Sequence, residues 1–241
     1  MLRWLILPVI AAVAACASPP EPEVGKGGIA ETAPPPDCAP PAPYGGYLFW
    51  MEDLSVQPGA QVKLTPWFTP QPGVMEDVDA RCLTITEVSG PGQLLEDGRT
   101  VAVNPDAGDG SAVLIRGTIG DTAISGRIAV YDRSRLPIVG YWHQRPEECQ
   151  GSEPMRELVF NGDGTFSATW MPFEVYKDFW GTFTYDAETR ELVLTPAGGN
   201  HVPPDAKLRA TIELTSDTLD PGPGFAGSPS GGPGCDAPFR K

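Results

Sequence analysis

Nothing in this sequence reaches the roughly 20 consecutive apolar residues that a membrane-crossing helix needs; the apolar stretch from Trp4 to Val13 stops well short. No segment keeps a 3.6-residue apolar period for long, so long helices and coiled coils are excluded. Basic residues are scarce as well. Seventeen Lys and Arg stand against 31 Asp and Glu, for a net charge of −14, and no basic or aromatic-basic stripe breaks the imbalance. Nucleic-acid binding depends on cations that neutralise phosphates, so it is excluded as a function. The acidic balance itself speaks mainly for solubility. There is no Gly-x-Ser-x-Gly around a serine, no Cys-x-x-Cys, and only two histidines, His143 and His201. A nucleophile elbow and a zinc-ribbon arrangement are thereby both missing.

Glycine and proline are plentiful at 28 each, and they cut the chain into short segments. Residues 17–43 are mostly Pro, Glu, Ala and Gly, with Pro34-Pro35-Pro36 and Pro40-Pro41 inside them; such a stretch cannot bury a core and reads as an extended tether. After it, alternation with turn punctuation recurs, which predicts an all-β chain. In residues 44–135 the expected strands include Leu54 to Val56, Val62 and Leu64, Leu83 and Ile85, Thr100 to Val103, Ala112 to Arg116 and, after a hairpin at Gly120-Asp121, Ile124 to Val130. About seven short strands of this kind point to a sandwich with one core. In residues 136–241 the pattern continues from Gly140-Tyr-Trp-His143 through a hairpin at Asn161-Gly162, a second hairpin from Trp180 to Thr195, and segments at Ala206 to Leu214 and Thr218-Leu219. Phe166, Ala168 and Trp170 should share one face. Beyond Leu219, Pro, Gly and Ser dominate and a flexible return segment is expected.

Three resemblances add to this reading. Arg3, the apolar stretch and Val13-Ala14-Ala15-Cys16 resemble the signal and lipobox of bacterial lipoproteins. That resemblance implies removal of residues 1–15, acylation of Cys16 and a firm anchor in a lipid bilayer, because two or three acyl chains hold where one does not. Ala17 rather than Asp follows the cysteine, which in the enterobacterial version implies the outer membrane, facing the periplasm. Val103 to Val113 with Ser125 to Asp132 resembles the second half of bacterial immunoglobulin-like domains. Gly-x-Trp at residues 140–142 and Asp163-Gly-Thr-Phe166 resemble the lipocalin-like small up-and-down barrels of envelope proteins, which implies a strand order and a possible interior cavity, and no chemistry to carry over.

If Cys16 carries lipid, Cys38, Cys82, Cys149 and Cys235 remain, an even number suited to two disulfides in an oxidising compartment. Three connectivities satisfy them. Cys38–Cys82 with Cys149–Cys235 is the expected one, since each bridge then closes within one block; zinc ligation is the alternative.

Several constellations compete with plainer readings. His143 or His201 with Glu147, Glu148 or Asp163 could make a general base and its orienting acid, yet no nucleophile accompanies them. Asn104, Asp106 and Asp109 offer oxygens to calcium but lack EF-hand spacing and read better as a turn. Trp142, Trp170, Phe173, Tyr176, Phe179 and Trp180 concentrate aromatic surface. Either they fill a small barrel, or Trp142, Trp170, Tyr176 and Trp180 line its mouth for an apolar or sugar-like ligand. The expected function is that of a non-enzymatic, lipid-anchored envelope protein that binds such a ligand or an envelope partner. A structural or assembly protein with a filled barrel and protein partners only is the alternative, and an envelope hydrolase a distant third. No metal and no cofactor are called for.

Overall fold

Short alternating segments become short strands: among the described residues 49% are strand and 3% helical, which makes the protein all-β. A computed structural model describes residues 36–39, 45–50, 55–71, 74–171, 177–204, 206–230 and 234–241. The signal segment, Cys16, most of the tether, Phe173 and Tyr176 lie outside the described residues. Residues 36–241 form one unit with two hydrophobic cores.

The first core is built by β1 (Gly46–Trp50), β2 (Ser55–Val56), β3 (Gln61–Lys63), β4 (Thr65–Thr69), β5 (Glu76–Asp77), β6 (Leu83–Ser89), β7 (Gly92–Leu94), β8 (Thr100–Val103), β9 (Ala112–Ile119) and β10 (Thr122–Val130). They pair as sheets of order β1-β4-β5, β2-β10-β9-β6 and β3-β8-β7. β2 runs parallel to β10, whereas β9 and β10 form the antiparallel hairpin expected at Gly120-Asp121. Strand alternation decides what goes inside. Val113 and Ile115 on β9 are buried while Leu114 between them is exposed. Val101 and Val103 from β8, Val62 from β3 and Ile128 and Val130 from β10 meet them in the same core. Cys38 is bonded to Cys82, in a single 3-10 turn at Ala80–Cys82, and so ties the start of the unit to this core.

The second core is enclosed by β11 (Gly140–Trp142), β12 (Glu157–Phe160), β13 (Thr165–Met171), β14 (Lys177–Asp186), β15 (Glu191–Gly199), β16 (Arg209–Thr211), β17 (Glu213–Leu214), β18 (Thr218–Asp220) and β19 (Phe239–Arg240). The first six make one curled sheet in sequence order and the last three a second. The two sheets are continuous in the chain at one end and meet through a backbone bridge at the other. Ile212 links β16 directly to β17, its N–H donating to the Arg190 carbonyl at 2.9 Å. At the other end His143 and Arg240 exchange backbone hydrogen bonds of 2.8 and 2.7 Å, so β19 meets the end of β11. The six-stranded sheet is thus a curled half-barrel, and the three-stranded sheet touches its first strand through one bridge. Every wall contributes inward residues: Trp142, Leu158, Phe160, Phe166, Ala168, Trp170, Phe179, Phe183, Leu192, Leu194, Ile212, Leu219 and Phe239 are all buried in one cluster.

Tight places in this wall need glycine. A Cβ on Gly181 would lie 2.0 Å from the Thr195 carbonyl oxygen, at the point where β14 slips register against β15. At the β12–β13 connection the structure departs from the expected Asn161-Gly162 turn. The loop spans residues 161–164, Gly164 takes the left-handed conformation at φ +80°, and Asp163 accepts from the Thr165 N–H and hydroxyl. Gly162 serves another purpose: a Cβ there would come within 2.8 Å of Tyr131. Its N–H donates to Ser55 Oγ at 2.8 Å, and Arg127 pairs with Asp163 at 2.8 Å. These contacts join the two cores.

The segment beyond Leu219 differs most from expectation. Phe225 and Ala226 pack into the second core and Ser228 is buried. Cys235 is bonded to Cys149, and the Gln144 side-chain amide donates to the Cys235 and Ala237 carbonyls at 2.9 and 2.7 Å. Apolar residues spaced this sparsely give no periodic signal, so only packing reveals the segment as a strap.

Candidate functional site

The aromatic set separates by strand parity. Trp142 faces inward from β11 with no exposed surface, its indole N–H donates to the Ile138 carbonyl at 2.7 Å, and the Lys241 ammonium lies 4.8 Å from its ring centroid. Trp170 faces inward from β13, stacks on Phe179 at 5.7 Å and meets the edge of His201 at 6.0 Å. Trp180 follows the inward Phe179 on β14 and so points outward, 49% exposed and close over Gly198. Trp142 and Trp170 thus share the core, Trp180 stands on the opposite face of the wall, and Tyr176 is outside the described residues.

The polar constellations are dispersed. Asp163 is engaged by Arg127 and Thr165, and Glu148 by Arg240 and Arg145. His201 Nε2 is 3.3 Å from the Ser228 carbonyl oxygen, and among the described residues no carboxylate bonds to either histidine. Asp109 accepts from the Asp132 N–H and pairs with Arg135, and the Asn104 carbonyl accepts from the Gly59 and Ala107 N–H groups, a turn role. No cluster of three metal-ligating side chains occurs among the described residues, and no described helix is long and apolar enough to cross a membrane.

What the fold does assemble is a groove on the outer face of the curled sheet, at the end of β11. It has a volume of about 540 Å³, lies open to solvent and is lined by Tyr141, His143, Gln144, Pro146 and Arg156. Tyr141 and His143 flank the inward Trp142, so alternation puts both on the outer face, ring centroids 5.9 Å apart. The Tyr141 hydroxyl donates to the Arg156 carbonyl at 2.9 Å, which fixes the ring against β12 while 48% of the residue stays exposed. Partial burial pushes the Tyr141 phenol above its ordinary range, and the nearby Glu157 carboxylate adds to the effect. Gln144 is the buried scaffold of the groove: its carbonyl oxygen accepts from the Met155 N–H while its amide holds the C-terminal strap. Arg156 is exposed and its guanidinium makes no ion pair among the described residues. His143 Nδ1 is buried and has no hydrogen-bond partner there.

The sequence contains the sign that leads to Tyr141. In Gly140-Tyr-Trp-His143 a single inward tryptophan obliges its neighbours to face outward. Arg156 and Gln144 carry no such sign, because only the pairing of β11 with β12 brings them near. Compared with known proteins, the chain matches no family model, no curated sequence and no solved structure.

Proposed function

We propose that the protein is a lipid-anchored envelope protein, held by acylated Cys16 in the outer membrane and facing the periplasm, and that it acts by binding through its outer surface. On this reading the first half is an immunoglobulin-like spacer, the second a lipocalin-like barrel, and neither performs catalysis. One observation carries the choice of surface over interior. Trp142, Trp170, Phe160, Phe166 and Phe179 occupy the space inside the barrel wall and are all at most 2% exposed. A molecule inside would have to displace these rings, each worth several kcal/mol as packed.

Val13-Ala14-Ala15-Cys16 supports the anchor, and the two disulfides suit an oxidising compartment. Metabolic labelling with a tagged fatty acid tests the first part: the wild-type chain takes the label and Cys16→Ser does not. Equal labelling of the two would sink the lipoprotein reading. Native mass spectrometry of protein extracted from its own envelope tests the second part, with the mass of the acylated chain alone expected. A stoichiometric apolar ligand retained by the folded protein and lost on unfolding would overturn it.

A further inference from the structure

We infer that the groove formed by Tyr141, His143, Pro146 and Arg156 is a saccharide-binding site, in which a pyranose ring stacks on the exposed face of Tyr141. The inference rests on the proposed use of the outer surface and names the class of molecule that surface would take.

The argument starts from what a sugar ring presents. Its axial C–H groups form an apolar patch that suits the electron-rich face of an aromatic ring, and its hydroxyls require donors and acceptors together around that patch. The groove supplies both. Tyr141 is a half-exposed ring that cannot swing freely, because its hydroxyl is bonded to the Arg156 carbonyl at 2.9 Å. A platform held in place loses little freedom when a ligand settles on it. Pro146, in a one-turn 3-10 helix (Pro146–Glu148), contributes a second rigid apolar face.

Around the platform lie further groups. The Arg156 guanidinium is a planar fork of donors with no carboxylate claiming it among the described residues, and adjacent hydroxyls of a pyranose suit such a fork. His143 lines the same groove as a second ring 5.9 Å from Tyr141, with its Nδ1 buried away from solvent. Glu157 faces outward from β12, since Leu158 beside it is buried, and brings an acceptor to the rim near Tyr141. Donors and acceptors are thus mixed, which fits a neutral polyol ring better than a simple anion or cation. The volume, about 540 Å³, holds more than one sugar residue. Gln144 and the Cys149–Cys235 bond fix the floor from behind, so the platform is built before any ligand arrives.

Two sources in an envelope present this chemistry, the glycan strand of the wall and the sugars of lipopolysaccharide. The purified full-length protein in detergent is titrated calorimetrically with a β-1,4-linked N-acetylglucosamine trimer in one arm and lipid-free lipopolysaccharide core oligosaccharide in the other. Saturable binding with a Kd near or below about 1 mM is expected in at least one arm, and the arm that binds identifies the source. Tyr141→Ala should weaken that binding about tenfold or more, while Tyr141→Phe, which keeps the stacking face, should stay within about threefold of wild type. Arg156→Gln, at an exposed position, provides a second variant that should weaken binding with an unchanged melting temperature. No saturable binding in either arm overturns the inference, as does binding that Tyr141→Ala and Arg156→Gln leave unchanged. Neither outcome touches fatty-acid labelling at Cys16, so failure of the saccharide site is distinguishable from failure of the anchored-protein reading.

Discussion

Trp170 shows how one residue divides a ligand mouth from a packed interior. Its ring is 2% exposed and lies against Phe179 and His201, so truncation leaves a cavity that the surrounding β-wall cannot close. Trp170→Ala should destabilise the protein by about 3–5 kcal/mol in denaturant unfolding. A loss below about 1 kcal/mol would mean that the ring is not core. Asp97 gives a residue-scale prediction of another kind. Its carboxylate accepts from the Thr100 hydroxyl at 2.6 Å and from the Arg99 and Thr100 N–H groups, and these bonds lower its pKa from 3.8 to about 2. A depressed carboxylate pKa favours the folded state at pH values above 3.8, and that contribution fades as pH falls through about 2. Carboxyl-carbon NMR should put the Asp97 midpoint near 2, and Thr100→Val should move it up towards 3.8. An unchanged midpoint in that variant would remove the hydroxyl as the cause.

Among the elements, the C-terminal strap carries the most consequence for its length. Cys149–Cys235 spans 86 residues, and β19 at the far end of the strap supplies the hydrogen bonds that bring Arg240 onto His143. Cutting the bridge releases chain entropy in the unfolded state and loosens β19, the strand that bridges to the end of β11. The double variant Cys149→Ser with Cys235→Ser should therefore cost about 2–5 kcal/mol, with the loss visible as faster amide exchange at His143 and Arg240. Unaltered exchange at those two amides would show that the strap holds without its bridge. The same strap supports the groove, since Gln144 holds it by two hydrogen bonds, so the bridge variant should also blunt the groove's affinity.

On the scale of the whole molecule, two cores are joined through Gly162, Ser55, Tyr131, Arg127 and Asp163. The ion pair is partly exposed and contributes little by itself. Close approach matters more. With Tyr131 atoms 2.8 to 3.0 Å from where a Cβ would stand, Gly162→Ala must push the β12–β13 loop and the first core apart. The wild-type chain should unfold in one transition by both tryptophan fluorescence and far-UV circular dichroism, while Gly162→Ala should separate the two probes as the cores uncouple. Coincident transitions in the variant would show that the contact adds no cooperativity.

Alternation and punctuation are local properties, and what depends on them was legible without a structure. The β9–β10 hairpin at Gly120-Asp121, the shared face of Phe166, Ala168 and Trp170, and the all-β class all follow from side chains that alternate with a period of two between turn-forming residues. The expected pairing, Cys38–Cys82 with Cys149–Cys235, is the one found. Other features depend on contacts between residues distant in sequence. β19 is two residues long and β17 likewise, too short for any period to register, yet both pair with β18 and β19 also reaches His143. Phe225 lies among Pro and Gly and joins the core only because the Cys149–Cys235 bridge and Gln144 draw the strap onto the curled sheet. Gly162 has the sequence of a turn residue, but its service is to admit Tyr131. The groove needed both kinds of information: parity sends Tyr141 outward as soon as Trp142 is inward, whereas Arg156 reaches it through strand pairing, a contact that no local pattern encodes.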